Sequence, residues 1–217
     1  VYAAMVERVD QGLGRILAEL DRLELADNTV VILASDNGAL ERVADNRPFR
    51  RGKGHLYEGG IRVPLIVRWP EHVKPGATCD TPTISEDLYA TLADIAGARA
   101  QPGQPLDGRS LVGELTGKDT PGERDLHWYY PHYSPQAKDP GAAIRSGAWK
   151  LIEFYDPHRF ELYNLEADIG ETTNLAETEP ERVRTLAKRL HTWLEQAGTI
   201  MHTPNPRAAK PKSGDKP

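Results

Sequence analysis

The sequence predicts an α/β domain, built on a mainly parallel sheet with helices and followed by a small α+β subdomain of antiparallel strands and one helix. Three observations carry this expectation. Near the start of the chain an amphipathic helical repeat runs directly into a continuous β-branched segment, residues 29–34. A second amphipathic repeat, residues 179–197, closes a run of short aromatic-rich segments between residues 126 and 163. Between the two, from about residue 98 to 122, the chain turns rich in Gly and Pro and loses periodicity, as a surface connection does.

The elements follow in order. Met5, Val9, Leu13, Ile16, Leu20 and Leu23 recur in steps of three and four, so the spacing predicts a helix from Val1 to about Leu25. Gly12 and Gly14 lower helix propensity within it and mark either a close approach of another backbone or a local break. Asp27 and Asn28 turn the chain, and residues 29–34 read as a strand buried on both faces, as in parallel sheets. Residues 63–69 form a second predicted strand and residues 85–97 a second helix, with Asp87 near its start and Gly97 at its stop.

Residues 126–130, 143–145, 149–154 and 160–163 are strands of an antiparallel sheet, punctuated by Gly147 and by Asp156 and Pro157. Val183, Leu186, Leu190, Trp193 and Leu194 then give a helix an apolar face that can cover that sheet. Residues 205–217 are Pro, Lys and Ala without an apolar face, and disorder is expected there. The expected organisation is therefore residues 1–122, residues 123–204 and a tail, 205–217.

A chain of 217 residues can bury a sizeable core. Its net charge of -5, with acids spread along the length, argues against a nucleic-acid partner. No apolar run approaches the roughly 20 residues of a membrane span, so no membrane association is expected. The single cysteine, Cys79, allows no intrachain disulfide and no zinc spacing. The chain opens at Val1 inside a helical pattern, without a signal-peptide pattern, and reads as a piece of a longer protein.

The chemistry concentrates in SDNGALERVADNRPFRRGKGHLYEGGIRVP, residues 35–64. Arg42, Arg47, Arg50, Arg51, Lys53 and Arg62 outweigh Asp45 and Glu58, a local positive excess on an acidic protein that fits a small anion. Ligands of open α/β sheets sit beyond the carboxyl ends of strands, where Asp36 and Asn37 stand. The pair offers oxygen ligands for a hard cation such as calcium or magnesium, or it is turn chemistry with Gly38. Lys53 lies between two glycines, so the chain can approach an anion closely there. His55 can donate a hydrogen bond or a proton. The spacing of a nucleotide-binding phosphate loop is missing. Glu58 and Arg62 can pair and hold the loop, while Gly59 and Gly60 permit tight packing.

These residues resemble the type I, formylglycine-dependent sulfatases of the alkaline-phosphatase-like superfamily. The resemblance is carried by Asp36-Asn37-Gly38, by residues 46–54 and 57–64, and by Cys79 to Thr83 with Asp87-Leu88-Tyr89. In the C-terminal part, residues 143–152, 161–165, Glu171 and Asn174-Leu175 continue it. The resemblance implies hydrolysis of a small sulfated substrate, a carbohydrate or aryl sulfate, at a divalent cation, calcium with magnesium as the alternative, beside a formylglycine. It assigns Asp36 and Asn37 as metal ligands, Lys53 as the sulfate contact and His55 as a neighbour of the reacting group. Arg51 stands where the family commonly has glycine, as a substrate contact or a solvent-facing residue. His132, in the aromatic stretch 127–133, either hydrogen-bonds a sugar hydroxyl or belongs to a packed aromatic cluster.

The Cys/Ser-x-Pro/Ala-x-Arg motif that carries the formylglycine does not occur in these residues, and Cys79 does not fit it. The resemblance therefore implies the C-terminal half of a sulfatase, inactive alone and completed by the remainder of its own catalytic domain, in an exported enzyme. Two other readings stay open: a phosphodiester or phosphonate monoester hydrolase of the same superfamily, and a non-catalytic binding module.

Overall fold

The computed structural model describes residues 1–98, 103–118, 122–137 and 139–201. The expected tail, 205–217, and the boundary at 204 lie outside the described residues. Helix α1 (Tyr2–Arg22) ends in a turn in which Leu25 N donates to Leu20 O and Glu24 adopts φ +57. Gly12 and Gly14 do not break it, and among the described residues nothing lies within 4 Å of a Cβ built at either. Its apolar residues Met5, Val9 and Ile16 are exposed.

A 3-10 turn, Ala26–Asn28, leads into strand β1 (Val31–Ala34). The loop after it contains only one helical turn, α2 (Glu58–Ile61), before strand β2 (Leu65–Arg68). The expectation of a mainly parallel sheet is corrected here: β1 and β2 pair antiparallel, Val31 opposite Arg68 and Ala34 opposite Leu65. A parallel partner needs a crossover to the far end of the strand. The loop instead returns to the end it left, and no residue of β1 is buried within the chain.

Helix α3 (Asp87–Ile95) is fixed by a buried carboxylate. Asp87 accepts from the Ile84 and Arg109 amides at 3.0 and 2.9 Å and pairs with both terminal nitrogens of Arg124. Burial pushes the Asp87 carboxyl up, but Arg124 and the two amides outweigh it and hold it below its usual 3.8. A depressed carboxylate contributes stability above its unfolded pKa that is lost as pH falls through the folded one. Wild type is expected to exceed Asp87→Asn in urea midpoint at neutral pH, with the gap closing as pH drops below 3.8.

After the short helix α4 (Val112–Thr116), strands β3 (Asp125–Tyr130), β4 (Gly141–Ser146), β5 (Trp149–Tyr155) and β6 (His158–Asn164) form a four-stranded antiparallel meander. Successive side chains of a strand face opposite sides. One side, with Ala142, Ile144, Leu151 and Leu162, packs against Leu186, Ala187, Leu190 and Leu194 of helix α5 (Pro180–Gln196). Trp149 and Trp193 lie partly buried against that core. The other side, with Ala143, Ile152, Phe154 and Tyr163, packs on Leu56 and Tyr57 of the β1–β2 loop. The sheet therefore seats the charged loop directly. Among the described residues no helix is long and apolar enough to cross a membrane.

Candidate active site

Asp36 and Asn37 follow the last residue of β1 by two and three positions. Ser35 Oγ donates to Asn37 O at 2.9 Å, and Asn37 Nδ2 donates to Asp36 Oδ1 at 2.8 Å. Those bonds leave Asp36 Oδ2 and Asn37 Oδ1 for a ligand, two hard oxygen donors of the kind calcium or magnesium takes. Among the described residues no three His, Cys, Asp or Glu side chains gather to hold a metal.

The lysine turn is stitched to this pair through backbone bonds. Gly38 N donates to Gly60 O at 2.9 Å, and Lys53 N donates to Ala39 O at 3.1 Å. Asn46 Nδ2 donates to Ala39 O at 2.9 Å and to Arg51 O at 3.0 Å. Glycine is required at the crossing points: a Cβ on Gly38 would overlap Gly59 O, and one on Gly60 would overlap His55 O. Lys53 is exposed on this turn.

Arg51 takes φ +62, in the left-handed region, and its Nη1 lies 3.8 Å from Glu41 Oε1. A left-handed residue with a Cβ is strained by about 1–2 kcal/mol. Glycine removes that strain and adds chain entropy to the unfolded state, so Arg51→Gly is expected to raise stability by up to about 1 kcal/mol, read as a higher urea midpoint. His55 is largely buried, with Nε2 3.7 Å from Glu41 Oε2. Burial above all, and Arg51 beside it, hold the imidazole below its usual 6.5 against the pull of Glu41. The environment thus favours the neutral ring.

The segment 131–137 lies against the same turn, because Gln136 Cβ and Ser134 Oγ flank Gly54. His132 stands on this segment, exposed, its ring edge-on to Tyr130 with centroids 5.5 Å apart. The structure thus brings Asp36, Asn37, Arg51, Lys53 and His55 onto one stitched loop and places His132 on the segment beside it.

Two groups that hold the loop are not evident from local sequence. Arg50 donates to Tyr163 Oη and Glu171 O, both at 2.8 Å, and lies over the Tyr57 ring at 4.1 Å. Tyr57 and Tyr163 both donate to Glu161 Oε2, at 2.7 and 2.6 Å. Burial first, then Glu161, pushes both phenols well above the usual range, so they remain donors. Glu58 pairs with Arg62 at 3.6 Å as its spacing predicts, but its closer partner is Lys150 at 2.9 Å. The local signal is a lysine, itself buried, inside the buried run of β5, which also holds Glu153.

Comparison with known proteins places the chain in a family. A model described as sulfatase matches residues 1–98, and one described as N-sulphoglucosamine sulphohydrolase, C-terminal, matches residues 51–199. A sulfatase of Formosa agariphila is 37% identical over 216 residues, which cover 89% of this chain and 39% of that protein. The steryl-sulfatase of Mus musculus is 41% identical over 164 residues, 70% of this chain and 26% of that protein. A solved structure in complex with its substrate, D-glucosamine-2-N,6-O-disulfate, superposes with a TM-score of 0.73 at 26% identity, covering 91% of this chain and 40% of that one. The chain spans about two fifths or less of the length of these relatives. With the two family matches overlapping over residues 51–98 and together spanning residues 1–199, this chain belongs to the sulfatase family.

Proposed function

We propose that these residues supply part of the active site of a sulfuric ester hydrolase acting on a carbohydrate or aryl sulfate. The observation that supports it most is the joining of the Asp36-Asn37 turn to the Lys53 turn through Gly38, Ala39 and Gly60, which sets a hard-cation donor pair and a free ammonium on one rigid loop. A bound divalent cation would supply Lewis-acid polarisation of the sulfate oxygens. Lys53 places a compact positive charge toward the same anion and stabilises the charge that develops as the ester bond breaks. His55, neutral and held by its burial, orients the turn and offers a hydrogen bond. Arg51 and His132, both exposed, are the residues proposed to contact the remainder of the substrate. The nucleophile, a formylglycine, and the remaining cation ligands belong to the rest of the catalytic domain.

The test uses the longest natural chain that contains these 217 residues. Hydrolysis of 4-nitrophenyl sulfate that is lost on chelation and restored by calcium is the expected result. Faster hydrolysis of 4-nitrophenyl phosphate than of the sulfate would overturn the assignment in favour of a phosphoester hydrolase. No turnover of either by the metal-loaded protein would favour a binding module.

A further inference from the structure

Lys150 of β5 is fully buried, an unusual place for an ammonium. Its Nζ donates to Glu58 Oε1 at 2.9 Å and to Glu171 Oε1 at 2.8 Å. Glu171 is buried too, and its Oε2 accepts from the Glu58 backbone N–H at 2.7 Å. Arg62 and Arg145 face the second oxygen of Glu58 at 3.6 and 4.0 Å. Arg145 stands directly opposite Lys150 in the β4–β5 register. Two like charges opposite one another oppose sheet formation unless carboxylates lie between them. Buried ion groups of this kind contribute little net stability over apolar residues, so a role in fixing one geometry accounts better for their presence.

The geometry they fix is that of the site loop. Glu58 is the first residue of α2, and the next two residues of that helical turn hold both halves of the site. Gly60 O receives the Gly38 amide behind Asp36 and Asn37, and Gly59 N donates to Arg50 O at 2.9 Å behind the lysine turn. Glycine at 38, 59 and 60 leaves no side chain to cushion a shift, so a displacement of α2 passes straight to its neighbours. We propose that Lys150 and Glu171 are positioning residues for the sulfate site, a buried clamp through which the four-stranded sheet sets Asp36, Asn37 and Lys53 by way of Glu58. The proposal rests on the reading of those three residues as site residues.

The experiment compares Glu171→Gln and Lys150→Met with Leu190→Ala, a destabilising change on the α5 side of the sheet, in the longest natural chain containing these residues. Turnover of 4-nitrophenyl sulfate is measured at a temperature where each variant is folded by circular dichroism. Glu171→Gln keeps shape and is the variant that decides if Lys150→Met does not fold. A small misplacement of catalytic groups costs up to roughly 100-fold, so kcat/KM is expected to fall by about 10- to 100-fold in Glu171→Gln, with a higher calcium concentration needed for half-maximal rate. Amide exchange at Gly38, Lys53, Gly59 and Gly60 is expected to quicken. Leu190→Ala is expected to keep the wild-type kcat/KM and calcium requirement.

Wild-type kcat/KM and calcium requirement in folded Glu171→Gln would overturn the clamp, as would an equal loss in Leu190→Ala. Wild-type turnover by Lys53→Ala would overturn the site reading instead. In that event the exchange rates decide the clamp: unchanged rates in Glu171→Gln would remove it.

Discussion

Lys53→Ala is expected to lower kcat/KM for sulfate-ester hydrolysis by roughly 100- to 1000-fold, the usual loss when one preorganised donor to a developing anion is removed. The effect belongs to the transition state and not to the fold. The Lys53 residue is exposed, and its turn is held by a backbone bond from Lys53 N to Ala39 O that alanine keeps. The urea midpoint of the variant is therefore expected to equal that of wild type. Lys53→Arg is expected to recover only part of the rate, because a planar guanidinium presents its donors in a wider fork than a compact ammonium. A wild-type rate in Lys53→Ala, measured on 4-nitrophenyl sulfate, would remove the lysine from the site.

Lys150→Met is expected to destabilise the protein by about 3–5 kcal/mol at pH 7, because it strands Glu58 and Glu171 as buried carboxylates without the ammonium between them. Arg62 and Arg145 remain near Glu58, so Glu171 bears most of the loss. Even with Lys150 present, burial holds the Glu171 carboxyl above its usual 4.5, against the opposing pull of Lys150 and the Glu58 amide. Without the lysine it rises further. A carboxyl whose folded pKa is raised binds its proton more tightly in the folded state, so its contribution is fully present below the unfolded pKa. That contribution is lost as pH rises through the folded pKa. The destabilisation by Lys150→Met is accordingly expected to shrink as pH falls from neutrality toward 4.5, read from urea midpoints across that range. A constant difference would mean that the carboxylates find other partners.

Local pattern was enough for the elements. The step of three and four gave α1 and α5, and the short aromatic-rich runs with their turn residues gave all four strands of the second sheet, each within a few residues of its observed ends. The residue types of the loop, a carboxylate and a carboxamide after a strand and a glycine-flanked lysine, are likewise properties of adjacent residues. Strand direction was different. A β-branched run reports that a strand forms and says nothing of which end its partner comes from, and the β1–β2 loop reversed the expected direction by returning to its own end. Whether Gly12 and Gly14 meet another backbone is likewise a property of the neighbour and not of the helix.

The residues that hold the loop lay furthest from reach. Glu58 meets Lys150 and Glu171 across 92 and 113 positions of chain, and Arg50 meets Tyr163 across 113. Nothing within a window of neighbouring residues encodes such a meeting. Type and spacing, properties of single residues and their near neighbours, established the helices and the strands. The pairing direction, the buried ion clamp and the joining of the two halves of the site are relations between distant segments. They exist because packing one face of the second sheet on Leu56 and Tyr57 excludes water and forces each buried charge to find its opposite.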